Sequence, residues 1–130
     1  MGHDIERPYV PEKKEFNIEL EGCYCKGMIF KRSQHLKKWE ARFITINPEG
    51  LFSYKSANEP PSFSIKAINA KYIWTRFDIH NQQLVIKIKH GIDQTEFAIP
   101  ITNYCRKSMH NWLYGFYRMI MERNIDKGLD

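Results

Sequence analysis

Cysteine is nearly missing from this chain of 130 residues: Cys23, Cys25 and Cys105 are the whole complement. An odd set with no C-x-x-C pair excludes a disulfide framework and a four-thiolate zinc site, and fits reduced thiols in a reducing compartment. Cys23 and Cys25 share a face if their segment is a strand, so a site completed by Cys105 and a histidine can be drawn. A free cysteine is more often a small buried residue. No metal and no cofactor are expected. Long apolar runs are lacking as well. None comes near the roughly 20 residues that cross a bilayer, and the N-terminus lacks the basic, apolar, small-residue order of a secretory leader, so a cytoplasmic protein is expected. Met1-Gly2 opens like a myristoylation signal, but Glu6 stands where that signal wants Ser or Thr. No Gly-rich phosphate loop, H-E-x-x-H, G-x-S-x-G or paired-carboxylate cluster is present. His3, His35, His80, His90 and His110 are scattered with no nucleophile in a suitable turn. These absences argue against an enzyme.

Charge, in contrast, is plentiful and unevenly placed. Lys26, Lys31, Arg32, Lys37, Lys38 and Arg42 fall between residues 26 and 42, against the single acid Glu40. Lys and Arg total 20 and Asp and Glu 15, so with this segment set aside the remaining cations and acids balance. A positive hairpin on an otherwise neutral body is a localised field that attracts an anion or an anionic surface.

An apolar fraction of 42% in one chain of this length suffices for one moderate core. Residues 1–20 are polar, include Pro8 and Pro11, and read as an extended arm; 21–125 read as one domain and 126–130 as a tail. From Gly22 onward short β-type runs alternate with turn residues: Tyr24 to Phe30, Trp39 to Ile46, Leu51 to Lys55, Phe63 to Ala67, Tyr72 to Phe77, Leu84 to Lys89 and Thr95 to Ile99. Asn47-Pro48-Glu49-Gly50 is the clearest turn, followed by Asn58-Glu59-Pro60-Pro61, Asn81 and His90-Gly91. Alternation in the sixth run puts Leu84, Ile86 and Ile88 on one face and Val85, Lys87 and Lys89 on the other, as in a half-buried antiparallel sheet. After Pro100 the period changes. Met109, Trp112, Leu113, Phe116 and Ile120 recur at helical spacing, which predicts an amphipathic helix from Asn103 to about Asn124, with Thr102 or Asn103 as N-cap. Seven strands and one terminal helix predict a mainly β fold, a bent barrel or orthogonal sandwich capped by the helix.

The first strand end Gly27-Met28-Ile29-Phe30-Lys31-Arg32-Ser33, the second strand Trp39 to Ile46, the third strand Leu51-Phe52-Ser53-Tyr54-Lys55 and Trp112 in the helix together resemble a pleckstrin homology (PH) domain. The resemblance covers about residues 21–124, and Phe30-Lys31-Arg32-Ser33-Gln34 is also similar to the first-strand end of Tec-family kinase PH domains. The Lys, Asn and Ile usage is compatible with the acylated single-PH-domain proteins of apicomplexan parasites, which are associated with phosphatidic acid. The resemblance implies phosphate contacts from a lysine ending the first strand and a basic-x-Arg pair on the second. Lys31 matches the former and Arg42 the last residue of the pair, but Glu40 stands where the pattern has Lys or Arg. Glu40 shares a strand face with Arg42, pairs with it and repels a phosphate beside it. That departure favours one phosphate monoester, as in phosphatidic acid or a singly phosphorylated inositide, held by Lys31, Lys38 and Arg42 with Tyr54 or Lys55.

The binding hairpin is therefore expected to comprise Lys26, Lys31, Arg32, Lys37, Lys38 and Arg42, with Leu36 at the loop tip as a candidate for insertion among lipid tails. A net of five charges at about 1 kcal/mol each gives roughly 5 kcal/mol, an affinity of only about 0.1–1 mM, so a specific head group or an inserted apolar residue must add the rest. The expected partner is an anionic phospholipid membrane, contacted peripherally on its cytosolic face. The first alternative is a protein-interaction module that adds a peptide strand beside the fifth strand, Tyr72 to Phe77, and the helix. A third is single-stranded nucleic-acid binding with Trp39 and Trp74 as stacking platforms, although their place inside strand runs reads as core.

Overall fold

The computed structural model describes residues 22–33, 35, 37–101 and 106–126, with helix side chains described over 109–121. The arm over 1–20, Leu36, the N-cap candidates Thr102 and Asn103, and Cys105 lie outside the described residues. The elements are β1 (Cys25–Ser33), β2 (Glu40–Asn47), β3 (Gly50–Tyr54), β4 (Phe63–Lys66), β5 (Ala70–Asp78), β6 (Gln83–His90), β7 (Asp93–Pro100) and α1 (Arg106–Asp126), with a 3-10 turn at Ala67–Asn69 between β4 and β5. Every expected strand is present. The helix reaches two residues further than its apolar stripe predicts.

The seven strands form one antiparallel sheet in the order β4-β3-β2-β1-β7-β6-β5. Local hairpins generate both wings of that order, and the β1–β7 pairing joins them. β1 pairs with β2 from Cys25 to Lys31 but with β7 only from Phe30 to Ser33. This is why β1 outruns its apolar run by three residues: Lys31, Arg32 and Ser33 find their second ladder on β7. The offset bends the sheet so that Ile44, Ile46, Leu51 and Ile65 of one wing share a core with Ile86, Ile88, Phe97 and Ile99 of the other.

Local chemistry sets the corners. In the β2–β3 turn the Asn47 side-chain Oδ1 accepts from the N–H groups of Glu49 (2.8 Å) and Gly50 (3.2 Å). Gly50 has φ +152°, and a Cβ there would stand 2.1 Å from the Ile65 carbonyl oxygen, so only glycine fits. The β6–β7 hairpin closes on the His90–Asp93 pair, leaving Gly91 (φ +64°) and Ile92 as its tip.

Strand alternation divides the sheet into an inner face under the helix and an outer face. The outer face is not uniformly wet, contrary to the alternation expected for the sixth run. Val85 is fully buried there with Phe30 and Ala98, flanked by Trp39, Ala41 and Trp74. Helix α1 covers the inner face along Trp112, Gly115, Phe116 and Met119, while Met109, Leu113 and Ile120 pack at the margins. Met119 and Gly115 replace part of the stripe read from periodicity, because the helix approaches β1 closely: a Cβ on Gly115 would lie 2.9 Å from Cβ of Cys25. Burial pushes the Cys25 thiol up to about 12, so it stays protonated at neutral pH and packs as an apolar group.

Candidate anion-binding rim

Three connections gather at one end of the sheet. β1 rises to Ser33 and β2 returns from Glu40, β3 rises to Tyr54, and the β6–β7 turn lies beside them through the Ser33–Thr95 register. His35 Nε2 stands 3.9 Å from Asp93 Oδ1, which places the first loop beside the β6–β7 turn. The two-residue period of the strands then splits the basic hairpin between the two faces of this rim.

On the inner face Lys31 lies opposite Glu40 across the β1–β2 ladder. Its ammonium rests 4.4 Å from the centre of the Phe63 ring. Burial lowers the pKa of that amine, Glu40 acts in the other direction, and the charges of Arg42 and Lys55 reinforce the lowering. Lys31, Glu40, Arg42 and Lys55 therefore form one electrostatic group. The Arg42 guanidinium is already engaged, by Glu40 at 3.1 Å and by the Ala41 carbonyl at 2.7 Å. Phe63 meets His90 edge-on at 5.6 Å, and His90 Nε2 lies 2.8 Å from Thr95 Oγ1. Phe63, His90 and Thr95 fill the inner side of the rim, and none of them is marked by charge or motif in the sequence.

His90 makes the inner side sensitive to pH. Burial lowers its pKa below the ordinary histidine value, Asp93 opposes this and Lys31 adds to it. The unfolded chain therefore takes up the proton more readily than the fold. The resulting stabilisation is complete above the ordinary value of about 6.5 and is lost as pH falls through it towards the lower folded value. Melting temperature should fall on acidification from about pH 7.5 to 5, and His90→Gln should flatten that slope; equal slopes would place the acid sensitivity elsewhere.

The outer face carries a cleft of about 230 Å³ lined by Arg32, Ser33, Lys37, Lys87, Gln94 and Glu96. Glu96 on β7 faces Arg32 on one side and Lys87 on the other in the strand register. It forms an ion pair with Arg32, whose guanidinium also stacks 4.7 Å from the centre of the Trp39 ring. Lys87 lies 5.4 Å from the Trp74 ring centre. Lys37 takes a left-handed φ of 53°, and its N–H donates to the Ser33 carbonyl at 3.1 Å, which turns the loop back over the cleft. Three cations and one carboxylate leave a net positive cleft with Ser33 and Gln94 as polar neighbours. Trp39 and Trp74 have cations of the chain itself against their rings, in keeping with packing residues.

The remaining expected site residues are dispersed. Lys26 lies seven residues down β1 from Ser33, roughly 20 Å from the rim at the usual strand rise. Lys38 is exposed just before β2. Tyr54 pairs with Phe43, its ring 6.3 Å from that of Phe43, on the face opposite Lys31 and Arg42. Lys55 does join the Lys31 group, whereas Leu36 lies outside the described residues. Lys87, Gln94 and Glu96 were not among the expected residues; alternation alone puts Lys87 on the outer face, but only register brings it to Arg32.

The PH domain family profile matches residues 13–121, beginning inside the segment that reads as an arm. The chain is similar in structure to the PH domain of pleckstrin homology domain-containing protein family A member 5 from human, at 19% identity and a TM-score of 0.60, over 85% of this chain and 89% of that one. It is similar to an activated truncation of Vav1, at 12% identity and a TM-score of 0.59, over 75% of this chain. The match spans about a quarter of that Vav1 chain, 26%. It is also similar to the Slm1 PH domain solved with inositol 4-phosphate, at 16% identity and a TM-score of 0.55, over 81% of this chain and 99% of that one. The Slm1 domain has also been solved with phosphoserine, at 18% identity and a TM-score of 0.54, over 76% and 94%. A direct comparison with curated proteins gives no match. Nothing in these relatives points to the apicomplexan lineage.

Proposed function

The chain belongs to the PH domain family, and on that footing we propose that it is a non-catalytic docking module that holds a phosphate-bearing lipid head group at its cationic rim. The observation that carries this reading is the outer cleft, where Arg32, Lys37 and Lys87 converge from a strand, a loop and a second strand around about 230 Å³. That volume lies below the roughly 300–1,000 Å³ of pockets for drug-sized ligands, so it suits one phosphate monoester better than a polyphosphorylated ring. Phosphatidic acid and singly phosphorylated inositides present such a group. The Slm1 domain, solved with inositol 4-phosphate and with phosphoserine, supports the same chemistry by analogy of fold. Anionic lipid is concentrated in the cytoplasmic leaflet, which makes that leaflet the docking surface.

Each face holds an arginine already in an ion pair, Arg42 with Glu40 and Arg32 with Glu96, so a phosphate must compete with a carboxylate on either. The outer face adds the cleft that Lys37 and Lys87 line. Flotation with vesicles of matched charge tests the assignment. Wild-type protein should prefer phosphatidic acid or phosphatidylinositol 4-phosphate over phosphatidylserine. Lys87→Ala should erase that preference while low-salt attraction persists, and Arg42→Ala should retain it. The reverse pattern would move the head group to the inner face, where Glu40→Lys would then shift preference towards polyphosphorylated inositides. Equal binding to all head groups at matched charge would leave only diffuse attraction. Chemical-shift changes confined to β5 and α1 on adding a partner peptide, with none at the rim on adding lipid, would favour strand addition instead.

A further inference from the structure

Ile92 is 92% exposed, the highest value among the large apolar side chains that the described residues expose. Exposure of one aliphatic residue is ordinary on its own. Its position is not. The side chain stands at the tip of the two-residue β6–β7 turn, held there by the left-handed Gly91 and by the His90–Asp93 pair that closes the hairpin. The turn lies beside the β1–β2 loop, with Asp93 Oδ1 3.9 Å from His35 Nε2, and Lys89 and Lys87 lead up to it along the outer face beside the cleft. A second isoleucine, Ile79, is 76% exposed in the β5–β6 connection, at the opposite end of β6 from Ile92. The two share side-chain chemistry and differ in whether a cationic rim surrounds them.

We propose that Ile92 is a membrane anchor: when the rim docks on an anionic bilayer, this side chain enters the acyl boundary while the neighbouring lysines stay at head-group level. The inference rests on the docking reading above and deepens it, naming a residue that supplies the apolar part of an attraction that charge alone makes weak. A rigid two-residue turn is suited to this, since the side chain is presented without ordering a long loop on contact. Transfer of an isoleucine side chain out of water corresponds to about a ten- to hundred-fold change in partition.

The test uses vesicles of phosphatidylcholine with phosphatidic acid, and glycerol 3-phosphate as a head group without chains. Ile92→Ser should weaken vesicle binding about ten- to hundred-fold and leave glycerol 3-phosphate binding, followed by NMR titration, at its wild-type value. Ile79→Ser should change neither. In Ile92→Trp, the fluorescence remaining after subtraction of the wild-type signal should shift to the blue on vesicle addition and be quenched by chain-brominated lipid. Wild-type vesicle affinity for Ile92→Ser, or an unquenched new tryptophan, overturns the anchor and leaves head-group docking intact. Equal losses from Ile92→Ser and Ile79→Ser would also overturn it, by showing a general effect of surface apolarity. If the wild-type protein binds neither the vesicles nor glycerol 3-phosphate, the docking reading falls and the anchor falls with it.

Discussion

Replacing Trp112 with alanine is expected to lower the stability of the domain by about 3–5 kcal/mol, the usual cost of emptying a buried tryptophan site. Trp112 is 3% exposed on the helix face that covers the sheet. Its ring centre lies 6.4 Å from that of Phe116, which in turn meets Phe97 of β7 at 5.5 Å. On the other side it approaches β1, where a Cβ added at Gly27 would be 3.4 Å from the indole. The indole therefore touches both the β1 backbone and the aromatic contacts that reach β7, and collapse around the void is limited by ladders that hold those strands. Since small domains are stable by only about 5–15 kcal/mol, the loss is a large share of the total. Urea unfolding is the direct measurement, with Trp112→Phe as a milder companion that keeps an aromatic ring. A midpoint unchanged by Trp112→Ala would mean that the helix does not close the inner face, and the architecture described above would be wrong.

Reversing two charges at the outer cleft should have the largest effect on membrane binding. Lys37→Glu with Lys87→Glu alters the local charge by four units. At about 1 kcal/mol for each charge near an anionic surface, vesicle affinity should fall on the order of 1,000-fold at low ionic strength. Neither side chain belongs to the buried core, so the fold should survive, and the melting curve provides the control. The deficit should shrink as salt rises, because the Debye length contracts to about 8 Å at physiological strength and the distant part of the field is screened. A parallel pair, Lys26→Glu with Lys66→Glu, changes the net charge equally at the opposite end of the sheet, towards the β2–β3 turn, and should cost much less. Equal losses from the two pairs would show that total charge governs docking and that the cleft has no special part.

Much of the fold was legible in the chain. The turn chemistry of Asn47 to Gly50 and the alternation from Leu84 to Lys89 act over a few residues, and both located their elements correctly. The helix is legible in its apolar stripe, but the burial of Gly115 and Met119 is not, because the close approach to Cys25 depends on the strand beneath. Val85 read as a wet-face residue for the same reason: its partners Phe30 and Ala98 lie on other strands. For the rim, the cations of the first hairpin were visible as a charge run, but their division was not. Lys31 and Arg32 are adjacent in sequence and face opposite sides of the sheet.

What the sequence determined by itself is therefore local: the period of each strand, the corners, the helix, the charge of the segment from Lys26 to Arg42 and the mismatch of Glu40 beside Arg42. The tertiary structure decided which of those charges act together. Arg32 meets Glu96 across 64 residues of chain, and the same strand brings Lys87 to the other side of that carboxylate. A two-residue period tells which face a side chain occupies within its own strand, but not how that strand slides against one formed far away. Here the burial of Phe97 and Ile99 against the opposite wing sets the position of β7, and with it the place where the cleft opens.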